Sequence, residues 1–196
     1  MEGKQRICVF SGTRAEYGLL KPLMQAIKED ESLEFCVMLS GAHLSPEFGP
    51  TYQEIEKDGF YIDEKIEILL SSDSPSGVCK SMGLGLIQFP DAIKRMEPDI
   101  IVLLGDRYEA FSVASAALVS NIPTAHIHGG ESSYGSLDES FRHAITKMSN
   151  LHFTCAEQYR DRVIQLGEHP DRVLNVGALG VENIQTIPLF GMGGDS

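Results

Sequence analysis

The chain has 196 residues, enough for one full hydrophobic core, and its 42% hydrophobic and 22% charged content is typical of a soluble globular protein. Its net charge of -12 disfavours nonspecific binding to nucleic acid or to anionic membranes, since both need a basic surface. No apolar run approaches the roughly 18 residues that a membrane span requires. The N-terminus leads straight into a strand-like run, which leaves no room for a signal peptide, so we expect a cytoplasmic protein.

The four cysteines are scattered along the chain without C-x-x-C spacing. Cys8, Cys36 and Cys155 lie inside apolar, strand-like runs. This pattern favours buried free thiols in a reducing compartment over a metal site. The sequence therefore predicts neither a bound metal nor a cofactor.

Strand-like and helix-like patterns alternate along the chain. Strands are predicted at 6–11, 34–40, 61–68, 100–104, 124–128, 151–155 and 173–176, the third being the weakest. Helices are predicted at 15–29, 50–58, 78–96, 108–120, 138–148 and 157–166. Such alternation predicts right-handed βαβ units and a mainly parallel sheet of six or seven strands. Residues 177–183 are typical of a turn into a short helix, and the chain then ends in glycine-rich sequence.

Two polar, glycine-containing turns follow neighbouring buried strands, at 105–109 and at 126–131. In open α/β sheets the carboxyl ends of the strands are where ligands bind. The charged and titratable residues of the two turns are Asp106, Arg107, Glu109, His126, His128 and Glu131. This set indicates acid–base chemistry better than it indicates charged surface residues without a function. For Asp106, capping of the next helix is the alternative interpretation.

The turn after the first predicted strand, at 11–18, is a candidate anion site. Backbone N–H groups at the start of the next helix, together with Arg14, could bind a phosphate. The turn matches neither a Walker loop nor G-x-G-x-x-G, and such turns are more often generic. His43 also follows a strand, where a single histidine is more often structural than functional.

His126 and His128 alternate along their strand and so face opposite sides of it. One of them could line a cleft while the other packs behind it, which disfavours metal binding by the pair. Asp138 begins a helix, where a carboxylate interacts favourably with the helix dipole, and Arg142 lies one turn later. A well-capped helix and a functional cluster account for these two residues equally well.

Six motifs, taken together and in order, are similar to those of one protein family. They are SGTRAEYG at 11–18, GAHL at 41–44, GDRYE at 105–109, HIHGGE at 126–131, DESFRHAITK at 138–147 and VGALG at 176–180. The chain resembles the N-terminal half of a hydrolysing UDP-N-acetylglucosamine 2-epimerase, of the branch that feeds sialic acid synthesis. The resemblance implies a Rossmann-like three-layer α/β domain at 1–185, one half of a glycosyltransferase-B-type enzyme, and a linker or truncated tail at 186–196.

The resemblance also implies a mechanism. The family converts UDP-N-acetylglucosamine and water to N-acetylmannosamine and UDP through 2-acetamidoglucal. By motif match, Asp106 and Asp138 take the positions of two carboxylates implicated in proton transfer, and Arg14 that of an arginine near the sugar diphosphate. The family often has glutamate where this chain has His128, so either His128 or Glu131 could supply that group. The further substrate-binding candidates are Gly12, His43, Arg107, His126 and Arg142.

We expect one edge of the sheet to carry the site, with these residues along it: Arg14, His43, Asp106, His128, Glu131 and Asp138. The expected partners are a UDP-sugar, the C-terminal domain that this chain lacks and further copies of the chain. Since the second domain of the family holds the uridine, we expect this chain alone to be nearly inactive. The alternatives are a glycosyltransferase-B-type glycosyltransferase and a non-catalytic sugar-nucleotide-binding or oligomerisation module. The sequence does not separate UDP-N-acetylglucosamine from a 2,4-diacetamido analogue.

Overall fold

The computed structural model describes residues 3–49 and 51–180, which form seven strands and six α-helices. The strands are β1 Gln5–Ser11, β2 Leu33–Ser40, β3 Glu64–Ile66, β4 Ile100–Leu104, β5 Thr124–Ile127, β6 Leu151–Thr154 and β7 Val173–Asn175. The helices are α1 Arg14–Glu29, α2 Thr51–Lys57, α3 Pro75–Met96, α4 Tyr108–Val119, α5 Leu137–Met148 and α6 Glu157–Gln165. Within these residues, no helix is both long and apolar enough to cross a membrane.

The seven strands form one parallel sheet in the order β3-β2-β1-β4-β5-β6-β7. The chain builds outward from β1 in one direction, crosses over through α3, and then builds outward from β4 in the other. This is the doubly wound, Rossmann-like topology, in which ligands bind at the carboxyl edge near the point where the strand order reverses. The predicted parallel sheet is therefore confirmed, with seven strands.

The sheet is packed on both faces, which explains why its central strands read as continuous apolar runs. Along β1, Cys8 and Phe10 face one hydrophobic cluster together with buried residues of α3, α4 and α5. Val9, between them, faces the other cluster together with buried residues of α1 and α2. The alternation along the strand thus builds the three layers.

Most predicted element bounds hold to within a residue or two, and three differences have a local cause. The third strand is shorter than predicted, since only Glu64–Ile66 pairs with β2. Helix α3 begins at Pro75, three residues early, because the Ser74 side chain caps it and proline is tolerated in the first turn. Strand β5 ends at Ile127, because His128 adopts a left-handed conformation with φ of 65°.

The cysteines and the C-terminal segment complete the comparison with the sequence. Cys8 and Cys36 are buried opposite each other on β1 and β2, and all four thiols are free. Cys155, expected in the core, is only half-buried just after β6. A helical turn begins at Leu179, as predicted. The rest of that predicted helix and the predicted tail at 186–196 lie outside the described residues.

Candidate functional site

A cavity of about 290 Å³ opens at the carboxyl edge of the sheet. Its walls come from the turns after β1, β4 and β5 and from helix α5. Its charged and titratable lining residues are Glu16, Asp106, Arg107, His128, Glu131 and Arg142. Four separate segments thus bring acids, arginines and an imidazole into one space, as expected for a site at the carboxyl ends of parallel strands.

Arg142, on α5, connects the walls of this cavity. Its guanidinium is buried and donates to the carboxylate of Asp106. It also donates to the backbone oxygen of Glu131 and to the hydroxyl of Ser133, both at 3.0 Å. A buried arginine needs its charge paired and its N–H groups satisfied, and these contacts do both. They also fix the turn after β4 against the loop after β5.

Asp106 and Asp138 occupy different positions along this edge. Asp106 follows Gly105, whose φ of 80° suits glycine, and its partly exposed carboxylate lines the cavity beside Arg142. Asp138 lies in the first turn of α5, four residues before Arg142, and is exposed. Asp106 pairs with Arg142 of α5, and Asp138 lies in the first turn of the same helix, so both aspartates lie at the edge where α5 begins.

Glu16 is a cavity residue that the sequence analysis did not single out. With Thr13 it forms a capping box at the start of α1, and its carboxylate accepts from the backbone N–H groups of Gly12, at 2.6 Å, and Thr13, at 3.2 Å. The amides of the predicted anion site therefore hold an internal carboxylate. Burial, and secondarily Glu109, raise the pKa of Glu16 to about 7. The spacing Thr-x-x-Glu could have revealed this role.

The arginines at two of the predicted binding positions differ in their surroundings. The Arg14 side chain is 72% exposed and pairs with Glu54 of α2 at 3.1 Å, and it is not among the cavity-lining residues. Arg107 lines the cavity and forms a two-pronged contact with the buried carboxylate of Glu109, at 3.2 and 3.3 Å. The Glu109 carboxylate thus orients one positive charge at the cavity wall.

His43 lies outside the cavity lined by Asp106 and forms part of the internal framework. Its ring is fully buried and contacts the hydroxyls of Ser11, at 2.8 Å, and Thr51, at 2.9 Å. Burial lowers the pKa of His43 to about 4, so the ring is neutral near pH 7. It connects the end of β1 to the start of α2.

His126 packs behind the turn that carries Asp106. Its Nε2 lies 2.7 Å from the Gly105 carbonyl oxygen, so Nε2 carries the proton, and its Nδ1 accepts from the Thr146 hydroxyl at 3.0 Å. The ring is fully buried, and burial lowers the pKa of His126 to about 4. This neutral histidine supports the turn from within the protein.

His128 lies on the cavity side. Its Nδ1 is 3.9 Å from Oε1 of Glu131, and its Nε2 accepts from the backbone N–H of Leu179 at 3.3 Å. Burial lowers the pKa of His128. The same Oε1 of Glu131 accepts from the thiol of Cys155 at 3.1 Å, a contact that the sequence analysis missed because it expected Cys155 in the core. Burial, and then Glu131, raise the pKa of Cys155 to about 11.

The acidic and basic groups described above do not form a metal centre. Within residues 3–49 and 51–180, no cluster of three or more histidine, cysteine, aspartate or glutamate side chains has an arrangement that could hold a metal ion. The chemistry open to this cavity is proton transfer and binding of an anion. Arg107 and Arg142 carry positive charge, the carboxylates of Asp106 and Glu131 are able to accept a proton, and the ring of His128 is able to donate a hydrogen bond.

A family model described as UDP-N-acetylglucosamine 2-epimerase matches residues 25–190. The chain is 51% identical to a GDP/UDP-N,N'-diacetylbacillosamine 2-epimerase (hydrolyzing) of Campylobacter jejuni, over 90% of the chain and 46% of that protein. It is 42% identical to polysialic acid biosynthesis protein P7 of Escherichia coli, over 94% of the chain and 47% of that protein. The chain thus spans about half the length of these relatives.

Solved structures share the fold. A UDP-N-acetylglucosamine 2-epimerase matches with a TM-score of 0.81 and 19% identity, over 93% of this chain and 51% of that one. The enzyme of Neisseria meningitidis, bound to UDP-GlcNAc, matches with a TM-score of 0.77 and 20% identity over 93% and 50%. The lipopolysaccharide outer core galactosyltransferase WaaB matches at 0.61 and 11% identity. The fold is that of one half of a glycosyltransferase-B-type enzyme, and the chain belongs to the UDP-N-acetylglucosamine 2-epimerase family.

Proposed function

We propose that this chain is the N-terminal half of a hydrolysing UDP-sugar 2-epimerase, acting on a sugar with a 2-acetamido group. The observation that carries the proposal is the cavity that brings Asp106, Arg107, Glu131 and Arg142 together at the carboxyl edge. Relatives at 51% and 37% identity, each described as hydrolysing, support the reaction class.

The reaction needs what this cavity supplies. A base removes the proton from C2 of the sugar, and the C–H electron pair forms the C1=C2 double bond. The bond from C1 to the diphosphate oxygen breaks, and its electrons leave with UDP. Water then adds to C1 and a proton returns to C2 on the other face, which gives the free 2-epimer. The C2 proton is weakly acidic, so a positioned base is required. In this proposal Arg107 and Arg142, which line the cavity, stabilise the departing negative charge.

Asp106 and Asp138 are our candidates for the proton transfers that accompany departure of UDP, addition of water at C1 and return of a proton to C2. Asp106 lines the cavity, where its carboxylate pairs with the guanidinium of Arg142. Asp138 lies exposed at the start of α5, one turn from Arg142, and would approach substrate from the rim. Arg14, also at the exposed edge, is proposed to contact the diphosphate once the second half of the enzyme supplies the facing wall. Gly12 would contribute through the loop that Glu16 now caps.

We propose a UDP-linked 2,4-diacetamido sugar as the substrate, ahead of UDP-N-acetylglucosamine. Both the 51% and the 37% identical relatives are described by N,N'-diacetylbacillosamine nucleotides. The 42% identical relative is described by polysialic acid biosynthesis, and that description supports the UDP-N-acetylglucosamine alternative. A pocket that hydrogen-bonds an extra amide discriminates strongly against a sugar that lacks it, so rates with the two substrates should differ clearly.

The test uses a protein that contains both halves. Purified protein is incubated with each UDP-sugar, release of UDP is followed by a coupled assay, and the sugar product is identified by NMR. We expect UDP and the free 2-epimer in equal amounts, with a proton from solvent at C2. Sugar transfer to an acceptor would identify a glycosyltransferase instead. Binding of the UDP-sugar without turnover would identify a non-catalytic module.

Self-association and a cytoplasmic location remain part of the proposal. Support for self-association comes from exposed apolar side chains on adjacent helices, namely Ile87 of α3 and Leu118 and Val119 of α4. Analytical ultracentrifugation would test it, and Val119→Glu should shift the chain toward monomer if this face is the contact. A monomeric wild-type chain at micromolar concentration would exclude self-association of this chain at that concentration.

A further inference from the structure

The ring of His128 is held in one tautomer by the backbone that leaves β7. The N–H of Leu179 donates to Nε2 of His128 at 3.3 Å. An N–H group can donate only to an unprotonated ring nitrogen, so the neutral ring carries its proton on Nδ1. The lowered pKa of this buried ring favours the neutral form. While this contact persists, Nε2 is not available to accept a proton from substrate.

The Nδ1–H side of His128 faces the carboxylate of Glu131. The distance from Nδ1 to Oε1 is 3.9 Å, longer than a hydrogen bond, and a movement of about 1 Å would close it. Such contacts often shorten when substrate binds. The thiol of Cys155 donates to the same oxygen at 3.1 Å. Two donors therefore converge on Oε1 and leave the other carboxylate oxygen to act on a ligand.

The backbone turns sharply at His128, where β5 has just ended. Its φ of 65° lies in the left-handed region, which is uncommon for a residue with a side chain. The residue still donates its backbone N–H to Phe153 on β6 at 2.9 Å, so the turn is fixed to the sheet. Strained conformations of this kind are often found at functional sites.

We infer that Glu131 is the base that takes the C2 proton, and that His128 is its positioning residue, fixed as the Nδ1–H tautomer by the Leu179 amide. This inference depends on the proposed function. In the step, the C2–H bond breaks and the proton goes to Glu131. The electron pair forms the C1=C2 bond, and UDP departs with the electrons of the C1–O bond. His128 does not itself exchange a proton. The question left open by the sequence, whether His128 or Glu131 replaces the family's usual glutamate, is answered in favour of Glu131.

The tautomer is tested on the present chain, without any assay of activity. Nitrogen-15 NMR of the His128 ring should show a protonated Nδ1 and an unprotonated Nε2 at pH 7. A scalar coupling between the Leu179 amide nitrogen and Nε2 should report the hydrogen bond directly. A protonated Nε2 in the wild-type chain, or the absence of this coupling, would overturn the assignment.

Variants at Leu179 separate the amide from the side chain. Leu179→Pro removes the N–H at the start of a helical turn, where proline is tolerated, whereas Leu179→Ala keeps the N–H. Loss of one neutral hydrogen bond, about 1 kcal/mol, should shift the tautomer ratio toward Nε2–H by roughly five-fold in Leu179→Pro only. Equal ratios in the two variants would contradict the role of the amide. The wild-type coupling measurement decides the matter if Leu179→Pro does not fold.

The base is identified by the pH dependence of turnover in the two-half protein. We expect Glu131→Gln to lower kcat by about 10²-fold or more and to remove the acidic limb of the pH profile. His128→Gln, which keeps an N–H donor, should lower kcat less and keep that limb. The opposite pattern would make His128 the base. Absence of turnover in the wild-type two-half protein would overturn the proposed function, whereas the NMR results for the His128 tautomer would still stand.

Discussion

Individual side chains at the cavity can be tested first through the two aspartates that the family resemblance marks. In a protein with both halves, we expect Asp106→Asn and Asp138→Asn each to lower turnover by about 10²-fold or more, the usual scale for loss of a positioned acid or base. Both variants should still fold, because asparagine in place of Asp106 can accept from Arg142. Loss of the charge paired with the buried guanidinium should nevertheless lower the unfolding free energy of Asp106→Asn. Initial rates of UDP release at saturating substrate give the comparison.

A matched control for the aspartates is Asp161→Asn, which changes an exposed carboxylate on α6, outside the cavity. Its turnover should equal that of the wild type. Asp138 is the more demanding test, since its side chain is exposed and does not line the cavity as Asp106 does. A normal rate for Asp138→Asn would assign this residue to helix capping alone.

Two of the buried histidines, His43 and His126, make stability depend on pH. Burial lowers the pKa of His43 and of His126 to about 4, below the value near 6.5 of an unfolded chain. The unfolded state therefore binds more protons, and the stabilisation from each ring is complete above pH 6.5 and is lost as the pH falls toward 4, by about 3 kcal/mol per ring. Glu16 acts in the opposite sense, because its ionisation lowers stability as the pH rises from about 4.5 to 7.

Urea unfolding at pH 7 and pH 4.5 measures this dependence. The loss of unfolding free energy between the two pH values should be larger for the wild type than for His43→Gln or His126→Gln, since glutamine does not titrate. Glu16→Gln should show a larger loss than the wild type. Equal losses in the wild type and both histidine variants would mean that these rings titrate alike in the folded and unfolded states.

At this edge the loop after β5 packs closely against the backbone of α6, and Gly130 lies at the contact. It has a φ of 82°, and a Cβ there would lie 2.3 Å from the backbone oxygen of Tyr159 on α6. Gly135 has nearly the same φ, 81°, but a Cβ there would meet no atom of the described residues within 4 Å. Gly135→Ala should therefore cost only the strain of the left-handed conformation, about 1 kcal/mol. Gly130→Ala should cost about 1–3 kcal/mol more through steric overlap.

Thermal and urea unfolding measure the difference in unfolding free energy between Gly130→Ala and Gly135→Ala. Both variants bear the cost of the left-handed conformation, so this cost cancels in the difference. Equal stabilities would show that α6 can move away from the loop after β5 without loss. In that case the loop carrying Glu131 would not depend on α6 for its position.

Sequence patterns predicted the elements well and the contacts between them less well. The strand at 100–104 and the turn after it were predicted correctly, because a short continuous apolar run followed by glycine is a local signal for a buried strand that ends in a turn. The role of His43 depended on Thr51, a partner that only folding brings close, whereas the capping role of Glu16 has a local signal in the spacing of Thr13 and Glu16. The alternation of His126 and His128 indicated opposite sides, whereas the left-handed turn at His128 has no signal in this sequence.

At the scale of the whole molecule, the candidate site lies at the carboxyl edge of the sheet and is open on one side. The cavity holding Asp106 and Arg142 is bounded by one domain, and large apolar side chains are exposed in the segments that follow β2 and β5, including Phe48, Tyr134 and, at the start of α5, Leu137. The chain spans about half the length of its curated relatives, so these side chains are well placed to contact a second half. We expect folding not to require that contact, since both sheet faces carry buried clusters of their own.

The 196-residue chain by itself is therefore expected to fold but to turn over substrate poorly. An open half-cleft neither excludes water nor fixes the uridine, so the base and the leaving group are not aligned. We expect UDP release from either UDP-sugar to be at least about 10²-fold slower than with a protein containing both halves, and UDP to bind weakly. Adding the separate second half in trans should restore part of the rate. A rate for the chain alone equal to that of the two-half protein would place the whole catalytic machinery in this domain.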